Sequence, residues 1–519
     1  MAGPVDLVMA KIVIIGAGIG GMSVAARLAK AGNEVEIFEQ SSRTGGKCRT
    51  EWIGDYAFDT GPSLLTLPAV YRDLFLKTGK RLELTVKVLP VDPAFEYHFA
   101  DGKTIIFPNL SLFRITQEIE SALGKKAADE WHRLMQRAEH MWDVAREPFV
   151  ESELKSIASL LMRKNFFGEM KEIAPFTSLR KLTRAYTEDP HLSKIVDRYA
   201  TYSGSDPRKA PAVLLTIAFV ESAFGAWHIQ GGIGKLSEAL EERNRKLGVI
   251  FHLNTSVASI LHKDGIATGI ETESGHTVLA DYVVANADAE VVYNQLLPRD
   301  LSVTKVERKK LAKSEKSLAG FSLLLGLDNS RLDHAPKKMN HHTIYFPEDY
   351  DAEFDQIFSK KIPVNDPTLY ICAPADPEMT KNPNKESWFV LVNAPRHEPG
   401  SGWDWSQSPE KYAQKLIEKL DALGLEVSQR LEVMEFRTPL DLENEVRAPG
   451  GSIYGTSSNS AKSAFLRASN RSPLKNLFCV GGSAHPGGGL PLVGISAEIV
   501  TDAIKALISP QSQVSESHH

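Results

Sequence analysis

Residues 12–40, IVIIGAGIGGMSVAARLAKAGNEVEIFEQ, run four apolar residues straight into four glycines at positions 16, 18, 20 and 21. Glycine loses more backbone freedom on folding than any other residue, so this density marks a place where side chains are excluded. The flanking pattern says what kind of place it is. Residues 11–15 read as a buried strand, residues 21–31 as a helix with small residues toward a sheet, and residues 34–39 as a second strand. In that βαβ context Gly16 makes the tight turn, Gly18 lets backbone approach a pyrophosphate, and Gly21 packs helix on sheet. The helix N-terminus adds free N–H groups and a partial positive charge. Glu39 ends the second strand, where a carboxylate holds the adenosine ribose hydroxyls and repels a 2′-phosphate. The expectation is a Rossmann-type half that binds a dinucleotide other than NADP.

A chain of 519 residues is too long for one core, which implies two domains or an interleaved pair. A 42% apolar content with 28 scattered prolines reads as globular, and a net charge of −5 gives no footprint for nucleic acid. Cys48, Cys372 and Cys479 are far apart with no CxxC pair, which argues against disulfides and cysteine-based metal sites and for a reducing compartment. No leader pattern opens the chain and no run of about 18 apolar residues occurs, so neither export nor a membrane span is expected. Hydrolase and kinase-like chemistry lack their motifs: there is no GxSxG, and Gly102-Lys103-Thr104 has no preceding P-loop glycine. His341 and His342 are adjacent, so they are expected on opposite faces of a strand as packing or surface residues, and no metal is expected.

Residues 101–229 turn helical, residues 408–424 form a second amphipathic helix, and residues 321–327, 368–373 and 388–393 read as strands. Residues 235–288 return to a helix-and-strand nucleotide pattern. The expected division is a nucleotide-binding domain from 9–105, 230–310 and 435–508, a substrate and membrane-associating domain from 106–229 and 311–434, and a tail at 509–519.

Three further stretches carry a resemblance. SSRTGGKCRT, residues 41–50, is similar to the second glycine motif of flavoproteins of the amine-oxidase and carotenoid-desaturase superfamily, with Lys47 where arginine is commonest. YAFDTGPSLLTLP, residues 56–68, resembles the segment that passes the flavin ring there. LFCVGGSAHPGGGLPLVGISAEIVTDAI, residues 477–504, resembles the terminal signature of the bacterial phytoene-desaturase family, and residues 191–221 its substrate-domain helices. Residues 451–473 are closer to members acting on hydroxycarotenoids and diapocarotenoids.

The resemblance covers nearly the whole chain and implies an α/β fold, a Rossmann-type FAD-binding domain interleaved with an α+β substrate domain. It implies FAD, gripped at its pyrophosphate by Arg43, Gly45, Gly46 and Lys47, with Gly61, Pro62 and Ser63 passing the ring. Val257 would meet the adenine through its backbone. Gly482 and the helix start at Pro491, Leu492 and Val493 would face the electron-rich edge of the flavin, as proline at a first helical turn allows.

The implied reaction is desaturation of an acyclic carotenoid, phytoene or a later or hydroxylated intermediate, with hydride passing to the flavin. That chemistry needs positioning and a dry site more than a strong base. No catalytic dyad is visible, so the catalytic residue stays unassigned. Leu64, Phe224, Trp227 and His228 are expected to line the substrate pocket, and Asp197 with Arg198 reads either as a proton-transfer group or, with more weight, as a helix-surface pair. Such a substrate stays in a bilayer. Residues 157–186 mix apolar and basic positions as an interfacial helix does, or as an ordinary two-sided surface helix does. Expected partners are therefore the polyene, the membrane surface on the cytoplasmic side, and oxygen or a quinone as electron acceptor. The alternatives left open are a carotenoid oxygenase or isomerase, an amine or protoporphyrinogen oxidase, and a non-catalytic prenyl-chain carrier.

Overall fold

The computed structural model describes residues 9–154, 166–400, 403–459 and 467–508. Five parallel strands, in the order Leu477–Cys479, Tyr282–Ala285, Lys11–Ile15, Glu34–Phe38 and Ile250–His252, form one sheet. Ile14 stands in register between Val284 and Ile37, and all three are fully buried. A parallel strand covered on both faces has to be apolar at every position, which is why the opening run does not alternate. Helix Ile19–Lys30 follows the glycine loop and packs against helices Gly234–Lys246 and Leu490–Ile508, so three distant stretches of chain share one core.

A seven-stranded sheet forms the other half, in the order Leu431–Arg437, Ala319–Asp328, Lys385–Ala394, Leu369–Cys372, His342–Tyr345, Phe95–His98 and Thr104–Phe107. Its pairings are antiparallel except where His342–Tyr345 runs parallel to Phe95–His98. Alternation gives this sheet two different faces. Phe321, Leu323, Trp388, Val390 and Ile371 point one way, into a core shared with helix Pro409–Ala422. Ser322, Phe389, Leu391, Tyr370 and Ile344 point the other way, into an internal cavity roofed by the helical segment that follows Thr104–Phe107.

The strands move two expected boundaries. Phe95–His98 and Thr104–Phe107 belong to the seven-stranded sheet although they precede residue 106, and Leu431–Arg437 carries that sheet past residue 434. The short alternating strand at 104–107 was absorbed into the helical pattern around it. Strands Ala319–Asp328, Leu369–Cys372 and Lys385–Ala394 and helix Pro409–Ala422 lie where the periodicity puts them.

Asp59, at the end of strand Tyr56–Asp59, ties that strand to the start of helix Gly234–Lys246. Its carboxylate accepts hydrogen bonds from Thr50 Oγ1 (2.6 Å) and the Ile233 N–H (2.9 Å), and Thr50 Oγ1 in turn accepts from the Gly234 N–H (2.8 Å). Two otherwise orphaned N–H groups at the start of helix Gly234–Lys246 are thereby satisfied. Burial pushes the Asp59 carboxyl up to about 6, although the Thr50 and Ile233 hydrogen bonds pull it down. The folded state therefore holds this proton to higher pH than the unfolded chain does. Its contribution to stability is complete below the ordinary carboxylate value and is lost as pH rises through about 6. Replacing Asp59 by Asn keeps the acceptor without the charge. The stability of Asp59→Asn relative to wild type is expected to rise by up to ~3 kcal/mol between pH 4 and pH 7 and to level off above, read from melting curves of the two proteins across that range.

Candidate functional site

A cavity of about 710 Å³ runs from the first glycine loop to the helical lobe. At the loop end Gly16 adopts φ +93°, and a Cβ there would stand 2.6 Å from the Asn286 carbonyl oxygen. A Cβ on Gly18 would stand 2.7 Å from Asn286 Oδ1. The close approach therefore comes first from the protein itself, because Asn286 ends the neighbouring strand and leans across the loop. Gly21 does not reach the cavity; a Cβ on it would strike the Gly16 carbonyl oxygen, so its role is packing. The second glycine motif docks on the first: Gly45 N–H donates to the Ala17 carbonyl (2.9 Å), and Gly46 lies against Gly18. Glu39 closes the arrangement, its two oxygens each accepting at 2.8 Å, one from the Ala17 N–H and one from the Ser41 N–H.

Of the expected cofactor residues, Gly16, Gly18, Glu39, Gly45, Gly46, Lys47, Gly61, Pro62, Ser63, Val257, Gly482, Pro491, Leu492 and Val493 all border this one cavity. Arg43 does not. Its side chain is half exposed and paired with Glu51 on the outside of the loop. Of the two arginines flanking this motif, the one on the cavity wall is Arg49, whose guanidinium also holds the Thr44 and Arg43 carbonyls (both 3.0 Å). Spacing within the motif cannot tell these two apart, since a turn at Gly45–Gly46 reverses the direction in which the side chains leave.

Deeper in, Lys47 and Arg467 are two buried cations against one carboxylate, Asp288. Lys47 Nζ donates to the Ile453 carbonyl (2.8 Å) and Arg467 Nη1 to the Tyr454 carbonyl (2.7 Å). Burial holds both below their ordinary values, Arg467 at about 10, while the Asp288 charge works the other way. Gly489, φ +98°, has nothing among the described residues within 4 Å of where its Cβ would be, at the entry to helix Leu490–Ile508. An excess buried positive charge, a helix N-terminus and open space beside a glycine loop fit an anionic, electron-rich group. Arg467 and Asn286 carry no motif of their own, and sequence reading passed them over.

The expected substrate residues divide. Leu64 lies on the cavity wall, whereas Phe224, Trp227 and His228 do not. Strand Trp227–Ile229 lies behind the segment that carries Leu64: Leu65 and Trp227 exchange backbone hydrogen bonds (3.0 and 2.9 Å), which puts the strand one layer out. Its side chains then find partners there. His228 pairs with Asp376 (2.8 Å), Trp227 Nε1 donates to the Phe224 carbonyl (2.8 Å), and Phe224 is exposed at the end of helix Leu215–Phe224. The wall of the far chamber is instead Leu67, Trp142, Phe149, Val213, Ile217 and Val220, facing Phe389 and Leu391 of the sheet.

Asp197 and Arg198 are not a surface pair; both are buried. Asp197 binds Arg180 (2.8 Å), and Arg198 reaches the cavity wall through Tyr202 (3.0 Å) and Tyr97 (3.0 Å). Glu221 beside it accepts from Tyr199 (2.7 Å) and Tyr202 (2.9 Å); burial raises its carboxyl, opposed by Arg198 and by these hydroxyls. The paired histidines also differ from expectation. His342 opens strand His342–Tyr345 but His341 precedes it, so the two rings come together with centroids 4.3 Å apart instead of facing opposite ways. One donor atom from each of His341, His342 and Cys372 falls within 4.8 Å of the others. Tyr370 already claims His342 Nδ1 (2.8 Å), and His341 Nδ1 lies 3.7 Å from Cys372 Sγ, which makes this a hydrogen-bonded group.

Residues 157–165 of the stretch expected to meet a membrane lie outside the described residues, as do 460–466 of the 451–473 stretch and the tail at 509–519. No described helix is long and apolar enough to cross a membrane.

The family of flavin containing amine oxidoreductases matches this chain over residues 19–488. Among characterised relatives, a 1-hydroxycarotenoid 3,4-desaturase of a Flavobacterium species is 31% identical over 96% of this chain and 99% of its own. A 4,4'-diapolycopene oxygenase of a Methylomonas species is 30% identical over 96% and 98%. An oxidoreductase from Methanosarcina mazei shares the fold with a TM-score of 0.62 at 19% identity, over 95% of this chain and all of the other.

Glu39 and Arg49 shape the loops around the cofactor and Arg43 faces out, so their substitutions separate. Glu39→Gln and Arg49→Ala are expected to weaken flavin retention by about 10-fold or more, the scale of a lost charge-assisted hydrogen bond. Arg43→Ala is expected to stay within about twofold, as an exposed ion pair should. The ratio of flavin to protein absorbance after gel filtration measures all three. Loop geometry, buried charge and a match across most of the sequence agree, and the chain belongs to the flavin containing amine oxidoreductase family, with FAD as its cofactor.

Proposed function

We propose that this protein is an FAD-dependent desaturase of an acyclic carotenoid, phytoene or a later or hydroxylated intermediate, working at a membrane surface. The observation that carries this reading is the shape of the site: one cavity joins the glycine loops to a long apolar chamber. An amine substrate calls for a small cage around a cation, and the far chamber here is a mixed aliphatic and aromatic wall, Leu67, Val213, Ile217 and Val220 beside Trp142, Phe149 and Phe389. The names of both relatives, a hydroxycarotenoid desaturase and a diapolycopene oxygenase, support a conjugated hydrocarbon chain as the substrate class.

Bound FAD supplies a two-electron acceptor for hydride. The protein contributes placement and dryness. Leu64, Val220 and Phe389 bound a slot in which an extended chain is held by apolar burial, at about 25 cal/mol per Å² removed from water. Water is excluded, so hydride and carbocation-like charge are not quenched. Lys47 and Arg467 favour the negative charge that reduction brings. Oxygen or a quinone then takes the electrons onward.

The membrane contact falls, in this reading, where the helical lobe exposes apolar side chains. Leu110 (47% exposed) lies beside Gly225 at the end of helix Leu215–Phe224, which Phe224 (37%) closes, and Phe113 (71%) follows Leu110 at the start of helix Leu112–Leu123. Phe224 touches Trp142, which is itself on the cavity wall, so the patch and the chamber are one side chain apart. The oxygenase reading keeps the same substrate class and the same site, and the oxygenase relative favours it specifically.

Anaerobic bleaching of the flavin by liposomes loaded with phytoene, neurosporene or hydroxylated acyclic carotenoids tests the reaction. Bleaching by at least one of them, and by neither empty liposomes nor putrescine, is expected; bleaching by the polyamine alone would sink the proposal. Flotation tests the surface: Phe113→Asp is expected to reduce liposome binding several-fold while leaving flavin content unchanged.

A further inference from the structure

We propose that Ser63, Tyr370 and His342 form a proton-transfer file in the cavity wall, with Tyr370 taking the proton that leaves the substrate and His342 receiving it. This rests on the desaturase reading and supplies the base that reading leaves unassigned. Ser63 Oγ lies 2.9 Å from Tyr370 Oη, which lies 2.8 Å from His342 Nδ1. Ser63 and Tyr370 border the cavity, while His342 is fully buried behind them. The sheet register builds this order. His342 is opposite Cys372 and Tyr370 opposite Ile344, so all four share the cavity face and the phenol reaches diagonally to the imidazole. Their rings stack at 5.7 Å and 19°, and Phe95 stacks on the other side of His342 at 5.3 Å, which fixes the imidazole in place. Among the described residues His342 Nε2 has no hydrogen-bond partner. A buried polar atom without a partner is costly, and is found where a group has work beyond packing.

The groups facing His342 come from four elements. They are His341 from the preceding turn, Tyr370 and Cys372 from the neighbouring strand, His228 with its partner Asp376, and Arg198 from helix Pro190–Thr201. Burial, then the two histidines and Arg198, hold His342 well below the ordinary imidazole value, so it rests neutral, and the charge it gains in transfer has to be offset by charge arising in the same site. Burial pushes the Tyr370 phenol well above its ordinary value, so it passes a proton on and does not remain ionised.

The step balances. At one substrate carbon the C–H bond breaks with both electrons leaving as hydride to bound FAD. At the adjacent carbon the C–H bond breaks with its electrons staying to form the new π bond. That proton goes to Tyr370 Oη as the phenol's own proton moves to His342 Nδ1. The substrate loses two hydrogens and two electrons, FAD is reduced, and His342 becomes cationic. Negative charge arriving with the hydride and positive charge arriving on His342 arise in one dry site, each lowering the cost of the other.

Stopped-flow reduction of the flavin by carotenoid-loaded liposomes, in H2O and D2O, tests the file on the holoenzyme. Tyr370→Phe keeps the ring and the packing. It is expected to slow reduction by about 100-fold with the concentration dependence unchanged, and to abolish the solvent isotope effect seen in wild type. His342→Gln is expected to slow it by roughly 10-fold or more. Independently of turnover, the 15N spectrum of histidine-labelled protein is expected to show one neutral imidazole between pH 6 and pH 8 whose Nδ1 signal moves in Tyr370→Phe. Reduction of Tyr370→Phe within about twofold of wild type overturns the file alone, as does the absence of that signal. A wild type that no carotenoid bleaches overturns the desaturase reading and the transfer step with it.

Discussion

The buried carboxylate of Glu39 is the contact on which the cofactor half depends. One of its oxygens takes the Ala17 N–H of the first glycine loop and the other takes the Ser41 N–H at the start of the second. Two turns that would otherwise splay are held face to face, close enough for Gly18 and Gly45 to bridge. Hydrogen bonds from backbone to a buried charge are roughly twice as strong as neutral ones, and the Arg49 guanidinium acts on the same carboxylate. The same carboxylate lies on the cavity wall. A residue first read as a ribose ligand thus holds the loop geometry too.

The second half solves a different problem, which is to keep an apolar space open. Most sheet faces are filled by a helix, and one face of the seven-stranded sheet is, by Pro409–Ala422. The other face is held away from the helical lobe by rigid, hydrogen-bonded posts. Arg198 lies within 5.0–5.4 Å of the rings of Phe95, Tyr97, Tyr199 and Tyr202, and Glu221 is fixed by two of those tyrosines. A buried ion pair adds little net stability, because desolvation offsets most of the attraction. Its value here is geometric: side chains that must stay hydrogen-bonded cannot collapse into the space beside them, as a set of leucines would. An apolar chamber walled in this way stays dry and ready for a ligand.

These two halves were not equally legible in the sequence. The glycine loops are local, and strand, turn and helix follow one another within thirty-odd positions, so spacing alone brings Gly16, Gly18 and Glu39 to one place. The strands at 319–328 and 385–394 were equally plain, because a run of apolar residues is local too. What spacing does not carry is the direction in which a side chain leaves a turn, and Arg43 and Arg49 exchange roles on that account. Nor does it carry layer order. Trp227 and His228 stand close in sequence to cavity-lining Glu221, yet their strand pairs behind Leu65. Asn286, Arg467 and Tyr370 reach the cavity wall from strands and loops far apart in the chain, with no local pattern to announce it.

The adjacent histidines show how much follows from one residue of register. Had both lain inside the strand, their rings would face opposite sides of the sheet, one into the core around Trp388 and one toward the cavity. The strand begins at His342, so His341 is free to turn back, and its ring meets His228 at 4.9 Å while His342 meets Tyr370. The result is a run of polar rings from Asp376, through His228, His341 and His342, to Tyr370 and Ser63 at the cavity wall. In an otherwise aliphatic and aromatic interior, such a run costs desolvation at every member. The two halves of the molecule meet along it: Ser63 belongs to the segment after the second glycine motif, and Tyr370 to the seven-stranded sheet. Any ligand that spans the cavity from the glycine loops to the far chamber passes this junction.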